Sequence, residues 1–298
     1  MLQANRNILY SCPFIPAPWI EAYGFCAERI EPSLHYNQPC TPRQGMCAHA
    51  RLFLNHCCRL DPAAVIFSST CDQMRRAFDL FSFYSKVPSF LFNVPATWQN
   101  LTAQKLYRLE LLRLGRFMQS IGGIEPSISA LAGAFGTDNQ VILGSRTCDT
   151  SSKLVAVIGE HRLAQSSDLF NLIEQLGGRV VLDALGTSGC TSPAKIEMRS
   201  FYKDPLEEIT SAYFGTIPSI FRRPNIMFYS WLRNAFVQNR PHGLLIQNFT
   251  WCDIWKAEID VIKKQINIPV LEITIADTNE YLQPSIINRI EAFMETLK

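Results

Sequence analysis

The chain has no run of about 18 uninterrupted apolar residues, so nothing in it reads as a membrane span. Its first residues, Met1 to Asn7, lack the apolar core of a signal peptide, and Pro13, Pro16 and Pro18 follow at once; the expectation is a cytoplasmic protein. Charge is scarce. Asp, Glu, Lys and Arg make up 18% of 298 residues, against roughly 25% in an average soluble domain. That deficit fits a chain that hides part of its surface against a partner. The formal net charge is +2, and the basic pairs Arg75-Arg76 and Arg222-Arg223 are too small for nucleic-acid binding. Neither C-x-x-C nor ferredoxin cysteine spacing occurs, so any metal centre must be assembled by the fold from distant segments. Gly159-Glu160 follows a strand pattern without a G-x-G-x-x-G, which leaves a dinucleotide site unsupported.

What is present is enough apolar side chain, 47%, for a substantial core. There are also ten cysteines: Cys12, Cys26, Cys40, Cys47, Cys57, Cys58, Cys71, Cys148, Cys190 and Cys252. In a reducing compartment such thiols point to metal or redox chemistry rather than disulfides, although at least half read as small buried hydrophobes.

The hydrophobic pattern predicts an α/β fold. Leu154–Ile158, Val180–Leu182, Gly243–Ile246 and Val270–Ile273 read as strands, with helices at Leu169–Leu176, Trp255–Ile266 and Arg289–Leu297. In the first half, Ile8–Tyr10, Ala63–Phe67 and Phe90–Val94 read as strands, with helices over Met74–Phe83, Leu101–Met118 and Ser127–Phe135. This is the pattern of two Rossmann-like, doubly wound, mostly parallel domains with extra helices, facing each other across a site. The polar stretch Gly144–Lys153 places the boundary, giving domains 1–150 and 151–298.

An internal repeat sharpens this. A strand leads to Cys71-Asp72, a helix follows, and Val87-Pro88 opens the next strand; another leads to Cys252-Asp253, a helix, and Ile268-Pro269. The Cys-to-Pro step is 17 residues in each (71 to 88, 252 to 269). Loops at the carboxyl edge of a parallel sheet are where ligands bind, and a thiol at a helix N-terminus favours its thiolate. Cys47 opens a further helix after a Pro/Gly-rich loop. Cys12, at the end of an expected edge strand, is a reserve ligand. His49 and His56, seven apart on one helix face, read as surface histidines before they read as neighbours of a metal. Cys57 and Cys58, adjacent on a helix, point different ways.

The order and spacing of Pro16-Ala17-Pro18-Trp19-Ile20-Glu21-Ala22-Tyr23-Gly24, Cys47-Ala48-His49-Ala50-Arg51, Val65 through Cys71-Asp72, Gly243 through Cys252-Asp253, Ile268-Pro269-Val270-Leu271 and Gln283 through Phe293 resemble the 2-hydroxyacyl-CoA dehydratase / benzoyl-CoA reductase subunit family, including the D-component of 2-hydroxyglutaryl-CoA dehydratase. The resemblance implies two α/β domains holding a [4Fe–4S] cluster through Cys47, Cys71 and Cys252, with one iron left open. It implies an ATP-dependent iron–sulfur activator that injects one low-potential electron, an acyl-CoA substrate dehydrated through a ketyl radical, and a sister subunit in a heterodimer or homodimer. A benzoyl-CoA-type reductase component or a double-cubane [8Fe–9S] protein belongs to the same circle. Where family members carry Pro-x-Glu, the third position here is Pro18; Glu21, one turn on, reads as a first-turn helix acid before it reads as a substitute. A cysteine common after the Tyr-Phe stretch is Ser219, and the Thr-Arg near the end is Asn288-Arg289. These departures favour an electron-relaying subunit whose sister chain binds substrate; the sequence assigns no catalytic or substrate-binding residue. Readings of another class are a zinc-stabilised interaction protein using the three cysteines with a histidine, and a binding protein without a cluster.

Overall fold

A computed structural model describes residues 5–36, 45–136, 152–159, 161–186, 192–275 and 281–297. The chain runs β1 (Asn7–Tyr10), α1 (Ala17–Ala22), β2 (Cys26–Arg29), α2 (Ala48–Arg59), β3 (Ala64–Ser68), α3 (Asp72–Tyr84), β4 (Ser89–Phe92), α4 (Leu101–Ser120) and α5 (Ile128–Gly136). It continues β5 (Lys153–Gly159), α6 (Ser166–Gln175), β6 (Gly178–Leu185), α7 (Met198–Lys203), α8 (Pro205–Ile209), α9 (Ile226–Asn239), β7 (Gly243–Phe249), α10 (Asp253–Gln265), β8 (Val270–Ile275) and α11 (Pro284–Thr296).

Two four-stranded, all-parallel sheets result, in the orders β2-β1-β3-β4 and β6-β5-β7-β8. The strand composition explains the order. Every residue of β3 and of β7 is buried, as inner strands covered on both faces require, whereas β2 (Cys-Ala-Glu-Arg) is exposed or half-buried throughout and lies at an edge. β1, expected at an edge, is an inner strand between β2 and β3.

Alternate residues of each strand feed different cores. Ile8, Ile66 and Phe92 point to an aromatic core built with α1, α4 and α5. Ala156, Ile158, Leu244 and Ile246 point to one built with α9 and α10. Leu9, Val65 and Phe67 of the first sheet and Val155, Val157, Leu245 and Ile273 of the second share a third core, filled by α2, α3, α6 and α11. This shared core welds the two sheets together.

The expected domain boundary, Gly144–Lys153, lies largely outside the described residues; Lys153 opens β5. The chain also crosses back. Phe201, Ile209, Tyr213, Phe214 and Ile217, which follow β6, pack into the aromatic core of the first sheet. The final helix starts at Pro284, five residues before its expected Arg289, because proline suits a first helical turn. Among the described residues no helix is long and apolar enough to cross a membrane.

Candidate functional site

Cys47, Cys71 and Cys252 occupy the same local position: each is the N-cap residue of a helix of 12 or 13 residues, α2, α3 and α10 respectively. The Cys47 sulfur accepts the Ala50 backbone N–H at 3.4 Å, and its own N–H donates to the Gln73 side chain at 2.9 Å, tying α2 to the first turn of α3. Trp251, just before Cys252, adopts a left-handed backbone (φ 71°), a costly conformation for a bulky residue. Its indole stays exposed.

All three thiols line one cavity of about 530 Å³, open to solvent, together with His49, His161, Phe221 and Trp251. Residues of both sheets' carboxyl-edge loops meet there, at the places where each strand order reverses. Three helix N-termini bring the positive ends of their dipoles to this cavity, which favours anionic sulfur. Among the described residues no three His, Cys, Asp or Glu side chains stand close enough to hold a single metal ion.

His49 is not a surface residue: it is 2% exposed. Its ring stacks on that of His161 with centroids 3.9 Å apart and planes 15° from parallel, and on Phe53 at 6.2 Å. Burial drives the pKa of His49 well below the usual imidazole value, and burial with nearby Arg29 takes His161 down to about 3, so both rings are neutral. His49 Nε2 and His161 Nδ1 are buried without a hydrogen-bond partner. Three sulfurs and two unpartnered neutral imidazoles around one cavity form a soft donor set, and these residues fit an iron–sulfur cluster.

A second cavity of about 550 Å³ adjoins the first, and His161 and Phe221 line both. Its wall is mostly apolar, including Phe14, Ile220, Phe228 and Trp255, with Cys12, Thr70 and Ser219 as polar points and, among the described residues, no carboxylate, lysine or arginine. Cys12, the reserve ligand, belongs to this wall rather than to the thiol cavity; burial raises its pKa although Ser68 hydrogen-bonds the sulfur. Glu21 lies on the last turn of α1, not the first, and is exposed, whereas Pro18 is buried.

His161 and Phe221 were not legible as site residues from composition. The available signal was position: His161 follows the glycine that closes β5 by two residues, as Cys12 follows the end of β1.

No curated protein matches the chain. The family described as 2-hydroxyglutaryl-CoA dehydratase, D-component, matches residues 3–141 and again 155–297, so that each sheet carries one repeat of the domain. With two repeated parallel sheets, and with that match covering nearly all of its length, the chain belongs to the 2-hydroxyglutaryl-CoA dehydratase D-component family and is a dehydratase-type enzyme component.

Proposed function

We propose that this chain is the electron-relaying iron–sulfur subunit of a 2-hydroxyacyl-CoA dehydratase, with Cys47, Cys71 and Cys252 as thiolate ligands of a [4Fe–4S] cluster and substrate held mainly by a sister subunit. The observation that carries this reading is the convergence of three helix-capping cysteines on one cavity between two sheets. When bound, such a cluster supplies one-electron transfer at low potential, which dehydration of a 2-hydroxyacyl thioester needs because its β C–H bond is otherwise unactivated.

The chain's own residues do the rest. The Ala50 amide at the start of α2 holds the Cys47 sulfur, and the N-terminal dipole ends of α3 and α10 favour anionic sulfur at Cys71 and Cys252. Phe221 and the neutral His161 stand where the thiol cavity and the apolar one adjoin, each lining both. Among the described residues the apolar wall offers no acid or cation to a substrate headgroup, and Pro18 stands where the family pattern that the sequence resembles has a glutamate, which supports relay rather than turnover. The open rim around Trp251 is where an ATP-dependent iron–sulfur activator would approach, in the cytoplasm.

Anaerobic reconstitution tests the reading. A brown protein with about four iron and four sulfide per chain, lost on Cys71→Ser or Cys252→Ser, supports it. A colourless chain that takes one zinc, or no metal, overturns it.

A further inference from the structure

The strand register equates the two repeats residue by residue. Leu9 pairs with Val65 in the first sheet, and Ile158 pairs with Ile246 in the second. Counting onward from the third strands reaches Cys71 (65 to 71) and Cys252 (246 to 252). Counting onward from the first strands reaches Cys12 (9 to 12) and His161 (158 to 161). Where the first repeat has a thiol, the second has an imidazole, and this imidazole lines the cavity of the three cysteines.

We propose that His161 is the fourth protein ligand of the cluster, its Nδ1 bound to the iron that Cys47, Cys71 and Cys252 leave open. The inference rests on the cluster reading above and specifies its coordination. His161 Nδ1 is buried and has no hydrogen-bond partner. The ring is held in place from two sides: His49 stacks on it at 3.9 Å, and Gly186 approaches so closely that a Cβ there would stand 2.9 Å from Nδ1. The Gln247 side chain donates to the His161 carbonyl at 3.4 Å, anchoring the loop.

The other equivalent positions are committed elsewhere. Cys12 lines the apolar cavity, with its sulfur hydrogen-bonded by Ser68. Asn225, the N-cap residue of α9 as Cys47 is of α2, donates to Glu258 at 2.7 Å and accepts from Arg223. Asp72 is turned to solvent and paired with Arg75 at 3.5 Å. A cluster held at every iron by protein has no vacancy for a substrate oxygen, so it passes electrons without binding the hydroxyacyl group. An imidazole in place of a thiolate also raises the reduction potential, as histidine does in Rieske centres.

Pulsed EPR on the full chain, reconstituted anaerobically and reduced with dithionite, tests this. The wild type is expected to show a strongly coupled nitrogen. In His161→Ala and His161→Cys that coupling disappears while about four iron per chain remain. The Cys variant, which keeps a donor at the site should the Ala variant misfold, also shifts the midpoint potential downward. A wild type carrying its full iron without coordinated nitrogen overturns the proposal. So does a coupling that survives in His161→Ala, or one that vanishes only in His49→Ala; in each of these cases the three-thiolate reading stands. A wild type that binds no iron overturns that reading itself.

Discussion

The two repeats share a strand order but not a role in packing. In the first, α2 and α3 cover the face that turns toward the second sheet; in the second, their counterparts α9 and α10 cover the face that turns away. The repeats therefore stack head to tail, each offering a different face to the shared core. Equivalent residues consequently meet unlike surroundings. Phe67 and Asn248 occupy one register position, as do Tyr10 and Gly159, and Cys12 and His161. What the two copies keep is the start of the helix after the third strand, Cys71-Asp72 and Cys252-Asp253, and the proline that opens the fourth strand, Pro88 and Pro269. A duplicated fold keeps its geometry where both copies face one cavity and loses it where they do not.

The largest effect that can break this equivalence is metal loss. Cys71→Ser and Cys252→Ser should each lower iron from about four to below one per reconstituted chain, to the same extent. Asn225→Ala, at the counterpart of Cys47, should leave iron content unchanged. Unequal losses in the first pair would show that only one repeat contributes a ligand.

Core packing comes next. Phe67 is fully buried and meets Phe53, Phe78 and Phe81 with centroids 5.4 to 5.9 Å away. Phe67→Ala should cost about 3–5 kcal/mol in chemical denaturation. At the matching place Asn248 is buried with its side-chain oxygen unpartnered, so Asn248→Ala should cost less than about 1 kcal/mol. Similar costs would mean that the shared core does not single out the inward face of the first sheet.

A smaller asymmetry lies at the end of the first strand of each repeat. Tyr10 carries a full side chain, but Gly159 has φ 148°, and a Cβ there would fall 2.1 Å from the Gln247 carbonyl oxygen. Gly159→Ala should cost about 2–3 kcal/mol. It should also disturb the nitrogen signal expected from His161, two residues on. A stable variant with an unchanged spectrum would separate the strand end from the site.

Much of this was legible beforehand. Short apolar runs such as Leu154–Ile158 and the paired Cys-Asp steps disclosed two parallel sheets and the loops that matter, because buried strands and helix starts are written in local composition. β2 was not legible: an edge strand of Cys-Ala-Glu-Arg has no buried period to betray it. Neither were α7 and α8, which Pro205 separates into single turns, nor the return of this segment to the first sheet, which depends on contacts made far along the chain. His49 was misjudged because one face of α2 meets a loop of the second repeat, and no pattern within the helix records that.

That returning segment carries the smallest expected effect. Arg108 on α4 bridges Asp204 at 3.0 Å and Glu207 at 2.8 Å, joining the first repeat to α8. All three side chains are substantially exposed, so Arg108→Ala should cost only about 0.5 kcal/mol, and less in 1 M salt. Asp204 has a second task, since its carboxylate accepts the Glu207 N–H at 3.1 Å and caps α8. Asp204→Ala should therefore cost more, about 1–2 kcal/mol, with the excess insensitive to salt. If the two variants proved equal and both faded with salt, the ion pair rather than the cap and the Phe201–Phe214 packing would be what seats this segment on the first repeat.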